Sequence, residues 1–253
     1  MSNVYPSLAG KRVLVTGGGS GIGAGIVTAF ARQGARVVFF DILQEPARAL
    51  EQALADCVHA PRFISCDLTD LAALAATLAQ ADVLAGGIDV LVNNAANDDR
   101  HDVAAVTPAY WDERMAVNLR HQFFCAQAAA PAMAAAGGGV IVNVGSISWH
   151  LALPRLALYM TAKAAIEGMT RGLARDLGGQ RIRVNCIVPG TVITARQQRW
   201  HTPEAQAQIL AAQCLHQPVL VEDVAAMALF LASDGAARCT GREFYVDGGL
   251  HGG

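Results

Sequence analysis

The sequence predicts an α/β fold: a doubly wound parallel sheet with helices on both faces. Seven short apolar runs alternate with segments of helical pattern along 253 residues. The first run leads directly into a glycine-rich turn and then a helical repeat, the order of a strand–turn–helix unit. Composition agrees, since 53 % hydrophobic against 16 % charged residues supplies a large core and excludes a disordered chain.

Val13-Leu-Val15 reads as a strand buried on both faces. After the turn at 17–23, Ile22, Ile26, Ala29 and Phe30 recur at helical spacing. Residues 35–41 form a second strand ending in Asp41, and 44–55 a helix of good formers. Residues 62–67 form a third strand ending in Asp67. A helix over 71–84 follows, with Asp70 as its N-cap. The fourth strand covers 88–94, and a polar loop runs over 97–101. One long helical run is expected over 108–135, a strand over 140–144 and a helix over 156–177. The sixth strand, 183–188, stops at Pro189-Gly190, and a polar excursion fills 191–218. A helix over 221–231 and a strand over 243–247 complete the chain. No linker or repeat divides it, so one domain is expected over 1–253. Its cofactor half is 1–145, and its catalytic and substrate half is 146–253, with a mobile segment at 191–218.

A net charge of −2 with no basic tract argues against nucleic acid as a partner. The six cysteines include no C-x-x-C pair, which suggests buried thiols in a reducing, cytoplasmic setting. The N-terminal residues hold no apolar signal core. Residues 121–154 lack Asp, Glu, Lys and Arg, but Pro131, Gly137–Gly139 and Asn143 interrupt them, so a buried helix and strand are expected, not a membrane span. The seven histidines form no metal-binding pattern, and no metal is expected.

The turn suits a phosphate. Gly17, Gly21 and Gly23 let the backbone approach a ligand, and a helix N-terminus offers free N–H groups and a positive dipole end. Asp41 stands 24 residues after Gly17, where a carboxylate accepts ribose hydroxyls and repels a 2′-phosphate. NAD is therefore expected over NADP. In such a sheet the ligand lies beyond the carboxyl ends of the strands. Gly17–Gly23, Asp41, Asp67, Asn93–Ala96, Ser146 and Pro189–Thr194 all fall just past strand ends and should share one crevice.

Tyr159 and Lys163 stand at i and i+4, on one face of a predicted helix. Only two of the 19 basic residues are lysines, so a lysine here suggests a need for a compact ammonium. A tyrosine acting as base near neutral pH must shift by roughly three pKa units, about 4 kcal/mol. A positive charge about 4 Å away, at an effective dielectric near 20, supplies roughly that much, and Lys163 and the positive nicotinamide ring of an oxidised cofactor could together provide it. Ser146, thirteen residues before Tyr159, can hold a reacting oxygen, although taken by itself it reads better as a loop-start serine. Asn118 is a candidate donor or an ordinary helix residue.

Thr16-Gly-x-x-x-Gly-Ile-Gly23, Asp67-Leu68, Asn93-Asn-Ala-Ala96, Asn118, Ser146, Tyr159-x-x-x-Lys163 and Pro189-Gly190 stand in an order and spacing that resembles the short-chain dehydrogenase/reductase family over essentially the whole chain. The resemblance implies a seven-stranded Rossmann sheet and an Asn118–Ser146–Tyr159–Lys163 tetrad. Tyr159 would be general base and Ser146 would position the substrate oxygen. Lys163 would bind the nicotinamide ribose and lower the tyrosine pKa, and Asn118 would hold a relay water. Ser20 and Ile22 would belong to the phosphate turn, and Asp67 and Leu68 would flank adenine. Asn94 and Ala95 would lie along the cofactor, and Pro189, Val192 and Thr194 would meet the nicotinamide end. Ala96 departs from the usual glycine and could narrow the approach to the cofactor.

Asn97-Asp-Asp-Arg-His101, Tyr110-Trp-Asp-Glu-Arg114, Ser146-Ile-Ser-Trp-His150, Arg199-Trp200 and Cys239-Thr240 resemble the corresponding stretches of NAD-dependent aldose 1-dehydrogenases of the D-xylose type. That implies oxidation of an aldopyranose at C1 to a lactone, the sugar being of the D-xylose, L-arabinose, L-fucose or D-galactose type. Asn97, Ser148, Trp149, His150 and Trp200, with Ser146 and Tyr159, would meet the sugar. The family also implies a homotetramer. Another small alcohol or a 3-hydroxyacyl substrate on the same scaffold is the alternative, and a non-catalytic NAD-sensing module a remoter one.

Overall fold

The structure, a computed structural model, describes residues 3–197 and 202–251. Its seven strands are β1 (Arg12–Thr16), β2 (Arg36–Asp41), β3 (Arg62–Ser65), β4 (Val90–Asn93), β5 (Gly139–Val144), β6 (Ile182–Pro189) and β7 (Glu243–Val246). They form one sheet in the order β3-β2-β1-β4-β5-β6-β7, with every pairing parallel. The helices are α1 (Gly21–Arg32), α2 (Gln44–Ala53), α3 (Leu71–Ala85), α4 (Pro108–Met115), α5 (His121–Ala135), α6 (Ala157–Leu177), α7 (Pro203–Ala212) and α8 (Val221–Ala232).

Strand alternation divides the core into two layers. Val13, Val15, Val37, Phe39, Val90 and Val92 pack with Ile26 and Phe30 of α1 and Val224 of α8 on one face. Leu14, Val38, Phe40, Leu91 and Ile141 pack with Leu74 and Leu78 of α3 and Cys125 and Met133 of α5 on the other. Central strands buried on both faces read as continuous apolar runs for this reason.

The expected helix over 108–135 is not one helix. A π-helical turn, Ala116–Arg120, separates α4 from α5. The 191–218 excursion is not wholly irregular either. Thr202 accepts from Ala205 N (3.2 Å) and Pro203 occupies the first turn of α7, a cap and starter that open a helix in polar sequence. The thiols are also less uniform than expected: Cys66, Cys125 and Cys186 are buried, Cys57 and Cys239 half-buried, and Cys214 exposed. Cys214 sits outside the core, where its Sγ donates to Gly249 O (3.3 Å). Among the described residues, no helix is long and apolar enough to cross a membrane.

The sheet order reverses between β1 and β4, and the loops after these two strands part there. A buried polar ladder fixes the strand ends beside that gap. Asn93 Nδ2 donates to Asn143 Oδ1 (3.0 Å), and Asn143 Nδ2 donates to Thr170 Oγ1 (2.9 Å) on α6. The ladder ties β4, β5 and α6 together just below the loops that carry the candidate site.

Candidate active site

A crevice of about 560 Å³ opens beyond the carboxyl ends of the strands. It runs from Asp41, Asp67 and Leu68 at one end to Ser146, Tyr159, Lys163 and Thr194 at the other. The grouping expected from strand ends therefore lies around one cavity, with Ser20, Gly21, Ile22, Asn94, Ala95, Pro189 and Val192 along its walls.

The turn packs so closely on itself and on the loop after β4 that two of its glycines are obligatory. Gly17 has φ +65°, and a Cβ there would stand 2.7 Å from Ala95 Cα. A Cβ on Gly23 would stand 1.9 Å from Gly17 O. Neither position admits a side chain. Asn94 pins the turn from β4, with Nδ2 donating to Thr16 O (3.1 Å) and Gly17 O (2.9 Å). Thr16 Oγ1 accepts from the backbone N–H of Asn94 (3.0 Å) and Ala95 (3.2 Å). Ser20 precedes α1 in extended conformation and makes no side-chain cap, so the first N–H groups of α1 have no side-chain acceptor from it.

Asp41 serves the loop as well as the crevice. Oδ2 accepts from Gly19 N (2.8 Å) and Oδ1 from Leu43 N (2.8 Å). Each oxygen keeps a lone pair, and the residue faces the cavity beside Ile42 and Leu43. Asp67 Oδ1 accepts from Thr69 N (2.9 Å) and Thr69 Oγ1 (2.7 Å), which leaves buried Leu68 as an apolar wall. Val192 is buried and bridges to Val219, so it meets the cavity mainly through its backbone. Ala96 has no positive φ and its methyl is exposed, so the departure from glycine strains nothing. A glycine cradle, a helix N-terminus, a carboxylate at one end and a lysine at the other fit an extended dinucleotide.

At the far end, Tyr159 and Lys163 share the face of α6 that looks into the crevice. Lys163 is buried, and Nζ donates to Val144 O (2.7 Å). Nζ lies 5.5 Å from the centroid of the Tyr159 ring. Burial pushes the Lys163 ammonium down to about 8. Burial also raises the Tyr159 pKa, Asp98 raises it further, and Ser146 and Arg196 pull it back. Without cofactor the protein thus disfavours the phenolate, since desolvation is the largest influence on Tyr159; the expected lowering draws on Lys163 together with the positive nicotinamide ring. Ser146 Oγ donates to Ser148 Oγ (2.9 Å) and accepts from Ser148 N (3.2 Å), which fixes its rotamer.

Asn118 sits within the π turn, fully buried. Oδ1 accepts from Asn97 N (2.8 Å) and Nδ2 donates to Arg114 O (3.0 Å). Its amide therefore holds the loop after β4, and keeps one further lone pair on Oδ1 and one further hydrogen on Nδ2. Asn97 lines the crevice, but its Oδ1 accepts from Asp99 N (2.9 Å) and Arg196 Nη2 (2.9 Å). Ser148 is buried against Ser146.

Trp149 and His150 do not line the cavity. Trp149 Nε1 donates to Glu167 Oε1 (2.8 Å), and His150 Nε2 lies 3.0 Å from the same oxygen. The His150 ring stacks between Trp149 (3.7 Å between centroids) and His251 (4.4 Å). A buried carboxylate on α6 draws both polar rings away from the crevice. Trp200 lies outside the described residues. His101, in the polar loop, accepts from Leu158 N (3.4 Å) at the start of α6.

Two residues of the site carry no local sequence signal. His121 is fully buried, contacts Ala95 O through Nε2 (3.1 Å), and is held neutral with its pKa down to about 4 by burial. Arg196 lines the crevice and reaches across to the 97–99 loop.

Comparisons with known proteins agree with this geometry. The family described as Enoyl-(Acyl carrier protein) reductase matches residues 17–251. The D-xylose 1-dehydrogenase of Caulobacter vibrioides is 60 % identical over 248 residues, 98 % of either chain. The probable galactose dehydrogenase GalD of Rhizobium meliloti is 49 % identical over 251 residues, again 98 % of either chain. A solved 7α-hydroxysteroid dehydrogenase, complexed with NADH and 7-oxo glycochenodeoxycholic acid, superposes with TM-score 0.92 at 30 % identity, covering 97 % of either chain.

Proposed function

The chain belongs to the short-chain dehydrogenase/reductase family, and on that premise we propose that it is an NAD-dependent aldose 1-dehydrogenase, oxidising the C1 hydroxyl of an aldopyranose to the lactone. One observation carries this reading: a single crevice joins Asp41 to Tyr159 and Lys163. The sugar dehydrogenases among its relatives support the substrate class.

The glycine turn and the α1 N-terminus hold the pyrophosphate. Asp41 accepts the adenosine ribose hydroxyls. Among the described residues that line the crevice, the Lys and Arg side chains are Lys163 and Arg196, both at the far end. No cation at the Asp41 end is placed to meet a 2′-phosphate, which favours NAD. When bound, the nicotinamide supplies the hydride acceptor. Lys163, tethered to Val144 O, keeps two further N–H donors for a ribose. Tyr159 takes the proton of the C1 hydroxyl at its phenolic oxygen as a phenolate, a form that Lys163 and the positive charge of a bound oxidised cofactor would together favour, and Ser146 orients that hydroxyl. Asn118 contributes by fixing Asn97.

Exposed Trp111 and Phe123, on α4 and α5, support self-association, read here as a homotetramer whose mass light scattering would check. Six free thiols suit a cytoplasmic setting.

The test is a panel of NAD and NADP against D-xylose, L-arabinose, L-fucose, D-galactose and D-glucose, with a hydroxyacyl ester as control, followed by NADH absorbance. Reduction of NAD by one or two sugars is expected. Turnover of the ester alone would overturn the reading.

A further inference from the structure

Beside the catalytic pair, one arginine gathers three acceptors of the loop after β4. Arg196 Nε donates to Asp98 Oδ1 (2.6 Å), and its Nη2 donates to Asn97 Oδ1 (2.9 Å) and Asp99 Oδ1 (2.9 Å). Asp99 is held from behind by buried Arg114 (3.3 Å). An exposed ion pair contributes little to stability, about 0–1 kcal/mol. This one differs in place. Arg196 and Asp98 both line the crevice, the Asp98 side chain is only 21 % exposed, and the two belong to segments 98 residues apart. Arg196 binds Asp98 through Oδ1, and among the described residues Oδ2 has no hydrogen-bond donor.

We propose that Asp98 accepts a hydroxyl of the sugar other than the one oxidised, and that Arg196 is the positioning residue that holds Asp98 in place for it. This rests on the reading of the crevice as a sugar dehydrogenase site. A carboxylate there selects a neutral polyol and repels carboxylated, phosphorylated or coenzyme A-linked substrates.

The electrostatics support the assignment. Asp98 raises the Tyr159 pKa and so works against the base, while Arg196 lowers it. A carboxylate that hinders the base implies a gain elsewhere, and the paired guanidinium limits the hindrance. The other groups about this pair and Tyr159 are Lys163 on the helix of Tyr159, the Ser146 hydroxyl past β5, Asp99 on Arg196 with Arg114 behind it, and His121 on α5, which burial and Lys163 keep neutral.

The experiment compares wild type, Asp98→Ala, Asp98→Asn, Arg196→Ala and Arg196→Lys on the preferred sugar and its 2-, 3- and 4-deoxy analogues, with NADH affinity by fluorescence and pH profiles of kcat/KM. Asp98→Ala should lose roughly 10- to 100-fold in kcat/KM, mostly through KM. It should also lose the wild-type discrimination against one deoxy analogue, with NADH affinity unchanged within about twofold. Arg196→Ala should weaken sugar binding in the same way and move the acid limb to higher pH, whereas Asp98→Asn should move it to lower pH. Arg196→Lys should restore part of the loss. In an Asp98→Asn background, Arg196→Ala should add little.

Sugar turnover by wild type with an unchanged deoxy profile in Asp98→Ala would overturn this proposal and leave the dehydrogenase reading standing. Pocket-edge variants that shift both pH limbs the same way would also overturn it. A wild type that binds NADH but oxidises no sugar would remove the dehydrogenase reading, and this proposal with it.

Discussion

Lys163 Nζ lies 5.5 Å from the centroid of the Tyr159 ring and gives its hydrogen bond to Val144 O at 2.7 Å. The lysine is anchored to the sheet, not to the phenol. Its charge faces the flat side of the ring, and its remaining donors face the crevice.

Tyr159→Phe should therefore remove the proton acceptor without disturbing the lysine. Turnover should fall by roughly 10²- to 10⁴-fold, the usual contribution of a positioned acid or base. NADH affinity, read by fluorescence, should stay within about twofold. A variant that kept its turnover would assign the proton transfer to another group.

Lys163→Met in the cofactor-free protein should expose the cost of burying the ammonium. The folded pKa is depressed from 10.5 to about 8, so between these values the unfolded chain binds more protons than the folded one. Stability of the wild type then rises with pH through this window and is lost again as pH falls through it. Relative to the Met variant, the wild type should gain roughly 3 kcal/mol between neutral pH and about pH 10.5. Urea midpoints at a series of pH values measure this. Loss of the bond to Val144 O affects the variant at every pH and cancels in the comparison.

Asp41→Ser combined with Ile42→Arg should reverse coenzyme choice. Ile42 is 65 % exposed beside the crevice, so an arginine there has room. The NADP-to-NAD ratio of kcat/KM should rise by roughly two orders of magnitude. The melting temperature should fall as well, because serine cannot accept both Gly19 N and Leu43 N as Asp41 does. A stable double variant with unchanged preference would show that Asp41 serves only the loop.

Trp149→Phe should leave sugar KM within about twofold and lower stability by about 1–2 kcal/mol, because Trp149 gives its N–H to buried Glu167. A large KM rise with unchanged stability would place the indole at the substrate after all. Steady-state kinetics with a thermal melt separates the two.

The contrast between Trp149 and Tyr159 shows what the sequence could reveal. Tyr159 and Lys163 are an i, i+4 pair on one helix, and Gly17, Gly21 and Gly23 lie in one turn, so their spacing is local and survives folding. The sheet was legible for the same reason, since each apolar run ends where a polar or glycine residue opens a loop. Trp149 owes its direction to Glu167, 18 residues away, and Asp98 to Arg196, 98 residues away. No periodicity encodes such pairings. Asn118 is legible as a residue but its hold on Asn97 is not, because the π turn around it is written in residues that also suit an ordinary helix.

That turn has a consequence for how the chain can vary. It inserts one residue into what would otherwise be a single helical frame. Every residue after it is rotated by about 100° relative to an uninterrupted helix. Cys125, Ala129 and Met133, which bury α5 against the sheet, face inward only in this shifted frame. Deleting one residue between 116 and 120 would close the turn into ordinary helix with α5 still in phase and its apolar stripe still on the sheet, but would disturb Asn118 and its hold on Asn97. This short stretch should therefore tolerate the loss of one residue in its packing far better than in its hold on the loop after β4.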